Sequence, residues 1–172
     1  MTEDWTEKYR PKSLSDVKGN PSAVKELEEW AKSWTVGIPK KRAVILMGAP
    51  GIGKTSSAEA LANDMGWDIV EMNASDQRTG NSIREVALRA SYFNTLGTDE
   101  EYKSSKDGGK KLIVLDEADN LFGNADRGAL PAINELIKTT RQPVILIVND
   151  FYALSRKSSV VSTDTLQITF RK

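Results

Sequence analysis

Eight residues in the first third of the chain have the types and spacing of a phosphate-binding loop. They fit the pattern G-x-x-x-x-G-K-[ST], and they lie between an apolar run at 43–47 and a helix-favouring stretch at 56–62. Glycines let successive backbone N–H groups turn toward one point, and a following helix adds unpaired amides and its positive dipole end. The sequence therefore predicts a nucleoside triphosphate site. Its predicted contacts are Gly48, Ala49, Pro50, Gly51, Ile52, Gly53, Lys54, Thr55 and Ser56.

Two side chains of this loop have predicted roles of their own. Lys54 would neutralise charge on the β- and γ-phosphates, and the hydroxyl of Thr55 would ligate Mg²⁺. The alternative is an ordinary glycine turn capped by Thr55. The strand-like residues before the loop and the helix-like residues after it favour the phosphate site.

A pair of carboxylates follows another apolar run, at 112–115. Acidic residues at the carboxyl end of a parallel strand face the crevice in which such sheets bind ligands. Asp116 is therefore predicted to hold Mg²⁺ opposite Thr55, and Glu117 to polarise a water for attack on the γ-phosphate. The alternative for this pair is a solvated acidic turn. The phosphate loop elsewhere in the chain favours the roles in binding Mg²⁺ and activating water.

Asn149 directly follows the apolar run at 144–148, just as Asp116 directly follows the run at 112–115. A neutral amide there can orient the attacking water or contact the γ-phosphate without changing the charge balance. We therefore predict a sensing or catalytic role for Asn149. A turn-forming Asn-Asp pair is the alternative.

Composition excludes several classes of protein. The 172 residues fit one domain, and 24 basic residues balance 24 acidic ones, so any DNA contact must come from a local patch rather than from bulk charge. Without cysteine or histidine there is no disulfide, thiolate metal site or imidazole base. No run approaches the roughly 18 apolar residues of a membrane span, and the first residues lack the order of a signal peptide. We expect an intracellular protein without membrane contact.

Periodicity predicts strands that alternate with helices, which indicates a parallel α/β sheet with right-handed crossovers. Asn20 is predicted to cap the first helix, Pro21 to begin it, and Pro131 to kink or delay a later one. Residues 97–111 are predicted to form a loop whose lysines, including Lys110 and Lys111, are solvated. The predicted strands are 43–47, 68–72, 112–115, 144–148 and 166–170, and the helices 21–34, 54–65, 82–96 and 126–140.

Taken together, these motifs resemble the AAA+ ATPases and, among them, clamp-loader large subunits of the archaeal type. The resemblance covers essentially the whole chain. It implies an α/β P-loop fold with a five-stranded parallel sheet of order 5-1-4-3-2 and helices on both faces. It also implies an N-terminal arm at 1–20 and an ATPase domain at 21–172, without the family's helical lid and collar. The segments that carry it, beside the phosphate loop, are 5–11, 16–19, 73–76, 116–119, 123–128 and 149–150.

The resemblance also implies an adenine pocket lined by Tyr9, Arg10, Pro11 and Val17. From the residues alone, the alternative for this arm is a hydrophobic staple against the first helix. Small clamp-loader subunits carry an arginine finger just before their last strand ends, but this chain has Leu166 there. We therefore expect the chain to receive a finger from a neighbouring subunit and not to supply one.

The implied partners are small clamp-loader subunits, the sliding clamp and primer-template DNA. Arg84 is the candidate DNA contact, with a solvated surface arginine as the alternative. Leu88, Tyr92 and Phe93 could grip the clamp, although Phe93 also fits a core position. The implied function is ATP- and Mg²⁺-dependent loading of the clamp in the cytoplasm or nucleoid of a prokaryote. The alternatives are another AAA+ remodelling motor, for branch migration or unfolding, and an ATP-gated interaction module with little turnover.

Overall fold

A computed structural model describes residues 13–17, 19–49, 53–73, 110–118, 129–149 and 163–171. In these residues a short 3₁₀ helix, Leu14–Asp16, precedes three α-helices and five strands. The helices are α1 (Pro21–Ser33), α2 (Lys54–Met65) and α3 (Ala129–Thr139). The strands are β1 (Ala43–Met47), β2 (Asp68–Asn73), β3 (Lys111–Asp116), β4 (Val144–Val148) and β5 (Thr165–Thr169).

The five strands form one sheet in the order β2-β3-β4-β1-β5, and every neighbouring pair is parallel. This is the predicted order 5-1-4-3-2 read from its other end, so the predicted fold is confirmed. The central strands β3, β4 and β1 read as continuous apolar runs because helices cover both faces of such a sheet. β4 is buried along its whole length.

Alternate side chains of the strands enter two separate clusters, because successive residues of a strand point to opposite faces. On one face, β1 contributes Ile45, and α3 covers the cluster with Ile133, Leu136 and Ile137. On the other face, β1 contributes Leu46 to a cluster covered by α1 and α2. The helices of the described residues therefore lie on both faces, as predicted.

The predicted boundaries match closely where the apolar run and the strand coincide. β1 and β4 have the predicted ends, and α2 ends before Gly66, whose φ of 70° suits glycine in the left-handed region. β5 begins one residue earlier than predicted, at Thr165, and α3 ends one residue earlier than predicted, at Thr139. The predicted start of that helix, at 126, lies outside the described residues. In α1, Ala23 and Trp30 are buried, and Val24 is half-buried. The predicted helix at 82–96 lies outside the described residues.

Asn20 corrects one prediction. It precedes α1 as expected, and its carbonyl accepts the first helical hydrogen bond from Val24, but its side chain does not cap the helix. Instead its Nδ2 donates to the carbonyl of Arg171 at 2.8 Å, and the N–H of Arg171 donates to its Oδ1 at 2.7 Å. The Asn20 backbone has a φ of 50°, a left-handed conformation that asparagine tolerates better than most residues. Asn20 therefore ties the start of α1 to the chain after β5.

We expect Asn20→Ala to lower the free energy of unfolding by about 2 kcal/mol, because it removes two hydrogen bonds and because alanine tolerates the left-handed region less well than asparagine. Asn20→Gly removes the same bonds but tolerates that backbone, so its expected loss is about 1 kcal/mol. Urea unfolding measures both variants. An alanine variant at least as stable as the glycine variant would contradict the backbone part of this account.

None of the helices in the described residues is long and apolar enough to cross a membrane.

Candidate functional site

Three chain segments meet where the central strands end. β1 and β4 are paired in register, with Ala43 opposite Val144 at one end and Met47 opposite Val148 at the other. Gly48 and Asn149, the next residues along each strand, therefore leave the sheet side by side. β3 lies on the other side of β4, and it ends at Asp116. The strand order therefore brings the phosphate loop, Asn149 and Asp116 to one edge, although they are far apart in the sequence. In open α/β sheets this edge forms the ligand-binding crevice.

The described residues of the loop are Gly48 and Ala49, which follow β1, and Gly53, which precedes the N-terminus of α2. Gly48 and Gly53 have φ values of 144° and 88°, which side chains bearing a Cβ rarely adopt. The carbonyl of Gly53 accepts bonds from the N–H of Ser57 at 2.9 Å and from its Oγ at 2.7 Å. α2 therefore begins at Lys54, and its first amides and positive dipole end lie beside the loop.

Lys54 is buried, with 5% of its surface exposed, and its ammonium group joins two strands. Nζ donates to the carbonyl of Gly48 after β1, to the carbonyl of Val148 in β4 at 3.1 Å, and to Oδ1 of Asn149 at 2.8 Å. A buried ammonium is costly without such acceptors, so these oxygens account for its position. The two residues predicted to contact the γ-phosphate are therefore in direct contact with each other.

Thr55 and Asp116 form the second contact of the site. The Thr55 hydroxyl donates to Oδ2 of Asp116 at 3.1 Å, and the N–H of Glu117 donates to Oδ1 of the same carboxylate at 2.8 Å. Both carboxylate oxygens are thus fixed in place. A hydroxyl and a carboxylate are ligands that Mg²⁺ accepts. The described residues contain no cluster of three or more His, Cys, Asp or Glu side chains that could hold a metal ion.

Glu117 has an unusual backbone for a residue with a side chain. Its φ is 54°, and its side chain is half-buried directly after β3. Such a conformation costs on the order of 1 kcal/mol, and strain of this kind is frequent at functional sites. This geometry is compatible with the predicted role of Glu117 and does not test it.

The remaining predicted site residues divide into two groups. In the described part, Ser56 is half-buried in the first turn of α2, and Ala49 is exposed after Gly48. Val17 is half-buried and packs against the α1 and α2 face, as the staple alternative requires, so its adenine role stays a prediction. The predicted residues outside the described ranges are Tyr9, Arg10, Pro11, Pro50, Gly51, Ile52, Arg84, Leu88, Tyr92 and Phe93.

Sequence reasoning missed two features of this edge. Asn73 ends β2 and pairs in register with Asp116, so it joins the same row of strand ends. Its signal was available, because it follows a strand as Asn149 does. The carbonyl groups of Gly48 and Val148 that accept from Lys54 carried no signal, since backbone acceptors are the same in every residue.

Fold, site and sequence agree on the class of protein. Residues 44–150, more than half of the chain, match the family described as "ATPase family associated with various cellular activities (AAA)". The chain belongs to the AAA ATPase family. Within that family it is similar to the replication factor C large subunits of archaea, which confirms the resemblance noted in the sequence.

Three of these relatives show the extent of the similarity. The Methanosarcina mazei protein is 56% identical over 152 residues, covering 88% of this chain and 23% of that protein. The Methanocella arvoryzae protein is 52% identical, and the match covers 99% of this chain and 28% of that protein. The Halobacterium salinarum protein is 51% identical, and the match covers 88% of this chain and 30% of that protein. The chain thus spans about a quarter of these relatives.

Solved structures support the fold. A structure of a Thermotoga maritima RuvB mutant has a TM-score of 0.65 at 20% identity and covers 94% of this chain and 49% of that one. A second mutant of the same protein gives 0.63, also at 20% identity, over 95% of this chain and 49% of that one. At this identity the likeness concerns the fold alone.

Proposed function

We propose that this chain is the ATPase domain of a clamp-loader large subunit. The observation that carries the proposal is its 51–56% identity to replication factor C large subunits. In the proposed activity, ATP binding assembles the subunits around an opened sliding clamp, and hydrolysis releases the clamp on primer-template DNA. The arrangement of Lys54, Asn149, Thr55 and Asp116 at one edge of the sheet supports the ATPase part.

Each side chain in this proposal acts through a contact that its chemistry allows. Lys54 holds the β- and γ-phosphates, beside the α2 N-terminus, which also favours anions. Asn149 contacts the γ-phosphate or the attacking water, and Glu117 accepts a proton from that water. Thr55 and Asp116 would hold Mg²⁺, which, when bound, neutralises phosphate charge.

One proposed feature makes the site incomplete on its own. Leu166 lies at the position of the arginine finger of small subunits, and it packs half-buried against the α1 and α2 face. A neighbouring subunit would therefore have to supply the finger. The absence of a finger can cost about 10³–10⁵ in rate, so we expect slow turnover without small subunits.

The other parts of the proposal come from the resemblance. Residues 1–20 would form an arm beside the adenine, and 21–172 the ATPase domain. Tyr9, Arg10, Pro11 and Val17 would line the adenine pocket, and Arg84 would contact primer-template DNA. Leu88, Tyr92 and Phe93 would contact the clamp. A role in replication would place the protein with the chromosome inside the cell.

The test is ATP hydrolysis by the complex assembled with small subunits, with and without primed DNA and sliding clamp. We expect primed DNA and clamp together to raise the rate well above that with either alone, because clamp loading couples both to hydrolysis. A complex carrying Lys54→Ala in this chain controls for the ATPase sites of the other subunits.

Two outcomes would contradict the proposal. Stimulation by branched DNA or by an unfolded protein, without any effect of the clamp, would indicate another remodelling motor. ATP binding without stimulated turnover under every condition would indicate an ATP-gated interaction module.

A further inference from the structure

The edge of the sheet opposite the phosphate loop is rich in positive charge. Because β1, β3 and β4 are adjacent and parallel, their first residues and the residues just before them lie together at the amino ends of the strands. Six of these residues are basic, and we call them the basic edge: Lys40, Lys41, Arg42, Lys110, Lys111 and Arg141. The sequence alone does not reveal this set, because its members come from three distant segments, and its pattern places Lys110 and Lys111 in a solvated loop.

Three of these side chains are held in place by neutral acceptors. Lys41 donates to the carbonyl of Thr163, and Arg42 donates to the carbonyl of Thr140 at 3.1 Å. Lys110 donates to the carbonyl of Arg141 at 3.1 Å, and its ammonium lies 5.3 Å from the centre of the Trp34 ring. Carbonyl groups and an aromatic ring orient a cation without cancelling its charge. The positions are therefore defined while the positive potential remains.

Few acidic residues oppose this charge in the described part of the edge. Asp68 pairs in register with Lys111, and Asp164 precedes β5. Among the residues that the structure describes, these two carboxylates oppose six cations, an excess of positive charge in a chain whose total charge is zero. In addition, burial lowers the pKa of Lys110, so an approaching anion would offset part of that desolvation. The basic edge is thus a local patch of the kind that a neutral protein needs for contact with nucleic acid.

We propose that the basic edge binds the phosphate backbone of duplex DNA, independently of its sequence. Neighbouring strands are about 4.8 Å apart, so the cations of β3, β4 and β1 form a row about 10 Å wide. Duplex DNA is stiff and carries one negative charge per roughly 1.7 Å of its helix axis. It therefore loses little conformational entropy when its phosphates contact a fixed row of cations. A flexible acidic segment would lose conformational entropy on the same surface.

One observation favours the competing partner, an acidic protein segment. Val36, 91% exposed, and Ile38 belong to the loop that leads to Lys40. Exposed apolar side chains beside cations would suit a protein surface. The experiment must therefore distinguish the two partners.

This inference does not depend on the proposed ATPase activity. The basic edge and the phosphate loop lie at opposite ends of strands that are five or six residues long, about 17 Å apart. Binding there needs no nucleotide. A blunt duplex, without a primer-template junction and without ATP, therefore probes the basic edge separately from clamp loading.

The test is fluorescence anisotropy of the full chain with a labelled blunt duplex of about 30 base pairs over a range of salt concentrations. Six phosphate contacts predict a slope of about −5 for log K against log salt. Lys40→Glu combined with Arg141→Glu should weaken binding several-fold and make the slope shallower by about 2. Both side chains are exposed, so the fold should tolerate the changes.

Lys25→Glu is the matched control, because Lys25 is exposed on α1 near its N-terminus, which lies beside Arg171 after β5. It should leave both affinity and slope unchanged. Equal affinities for the double variant and the original chain would overturn the proposal. The proposal would also be overturned if the original chain bound a labelled polyglutamate peptide and the double variant lost this binding but still bound the duplex. The basic edge would then serve an acidic protein partner.

Discussion

Lys54→Ala is expected to weaken ATP binding by about 100-fold or more. The ammonium is the cation that the structure holds beside the loop, and hydrogen bonds to a charged group contribute about 1.5–3 kcal/mol each. Two such bonds to phosphate oxygens would account for the loss. Titration calorimetry with ATP in the presence of Mg²⁺ measures it directly.

The control for this prediction concerns folding, because Lys54 is buried. Its removal leaves the carbonyl of Val148 and the amide oxygen of Asn149 without this donor, and alanine also leaves space beside them. Lys54→Met keeps most of the side-chain volume without the charge, so thermal unfolding of both variants separates packing from binding. If Lys54→Met folded and bound ATP within a few-fold of the original chain, Lys54 would not be a phosphate ligand.

Glu117→Gln is expected to lower DNA- and clamp-stimulated ATP hydrolysis by about 10²–10⁴ while leaving ATP affinity nearly unchanged. Glutamine has almost the same shape and the same unusual backbone to accommodate, but it cannot accept a proton. The N–H of Glu117 still donates to Asp116, so the position of that carboxylate is preserved. Steady-state hydrolysis and equilibrium binding, measured on the same assembled complex, test the two halves of the prediction.

Glu135→Gln provides a matched change of charge. Glu135 is exposed on α3, and its substitution should leave hydrolysis and binding as they are. Because other subunits of the complex hydrolyse ATP as well, the comparison requires their sites to be inactivated. An unchanged stimulated rate for Glu117→Gln under these conditions would show that Glu117 is not the general base.

The sequence predicted most of the sheet because two of its central strands, β1 and β4, are apolar along their whole length. β1 and β4 are buried on both faces, so their hydrophobic runs and their hydrogen-bonded lengths coincide. β2 and β3 extend beyond the predicted runs to Asn73 and Lys111, because strand pairing continues through polar residues that hydrophobicity cannot register. The order of the strands followed only from the resemblance, since periodicity does not determine which strands are neighbours.

The site was predictable in its parts but not in its contacts. Lys54, Thr55, Asp116 and Asn149 were identified because each lies at the end of a predicted strand or in the glycine loop. Their pairing into Lys54 with Asn149 and Thr55 with Asp116 depends on the order of the strands and on their register. Asn20 was placed correctly but given the wrong partner, because Arg171 is 151 residues away in the sequence. Local patterns carry no information about such distant partners.

The division of the core into two clusters has a consequence for how the domain can change over evolution. Ile45 and Leu46 are consecutive, yet they pack into different clusters on opposite sides of the sheet. Substitutions in separate clusters without shared partners have nearly additive effects on stability. One helical layer can therefore be remodelled to suit a new neighbour while the other layer continues to support β1 and the loop that it carries.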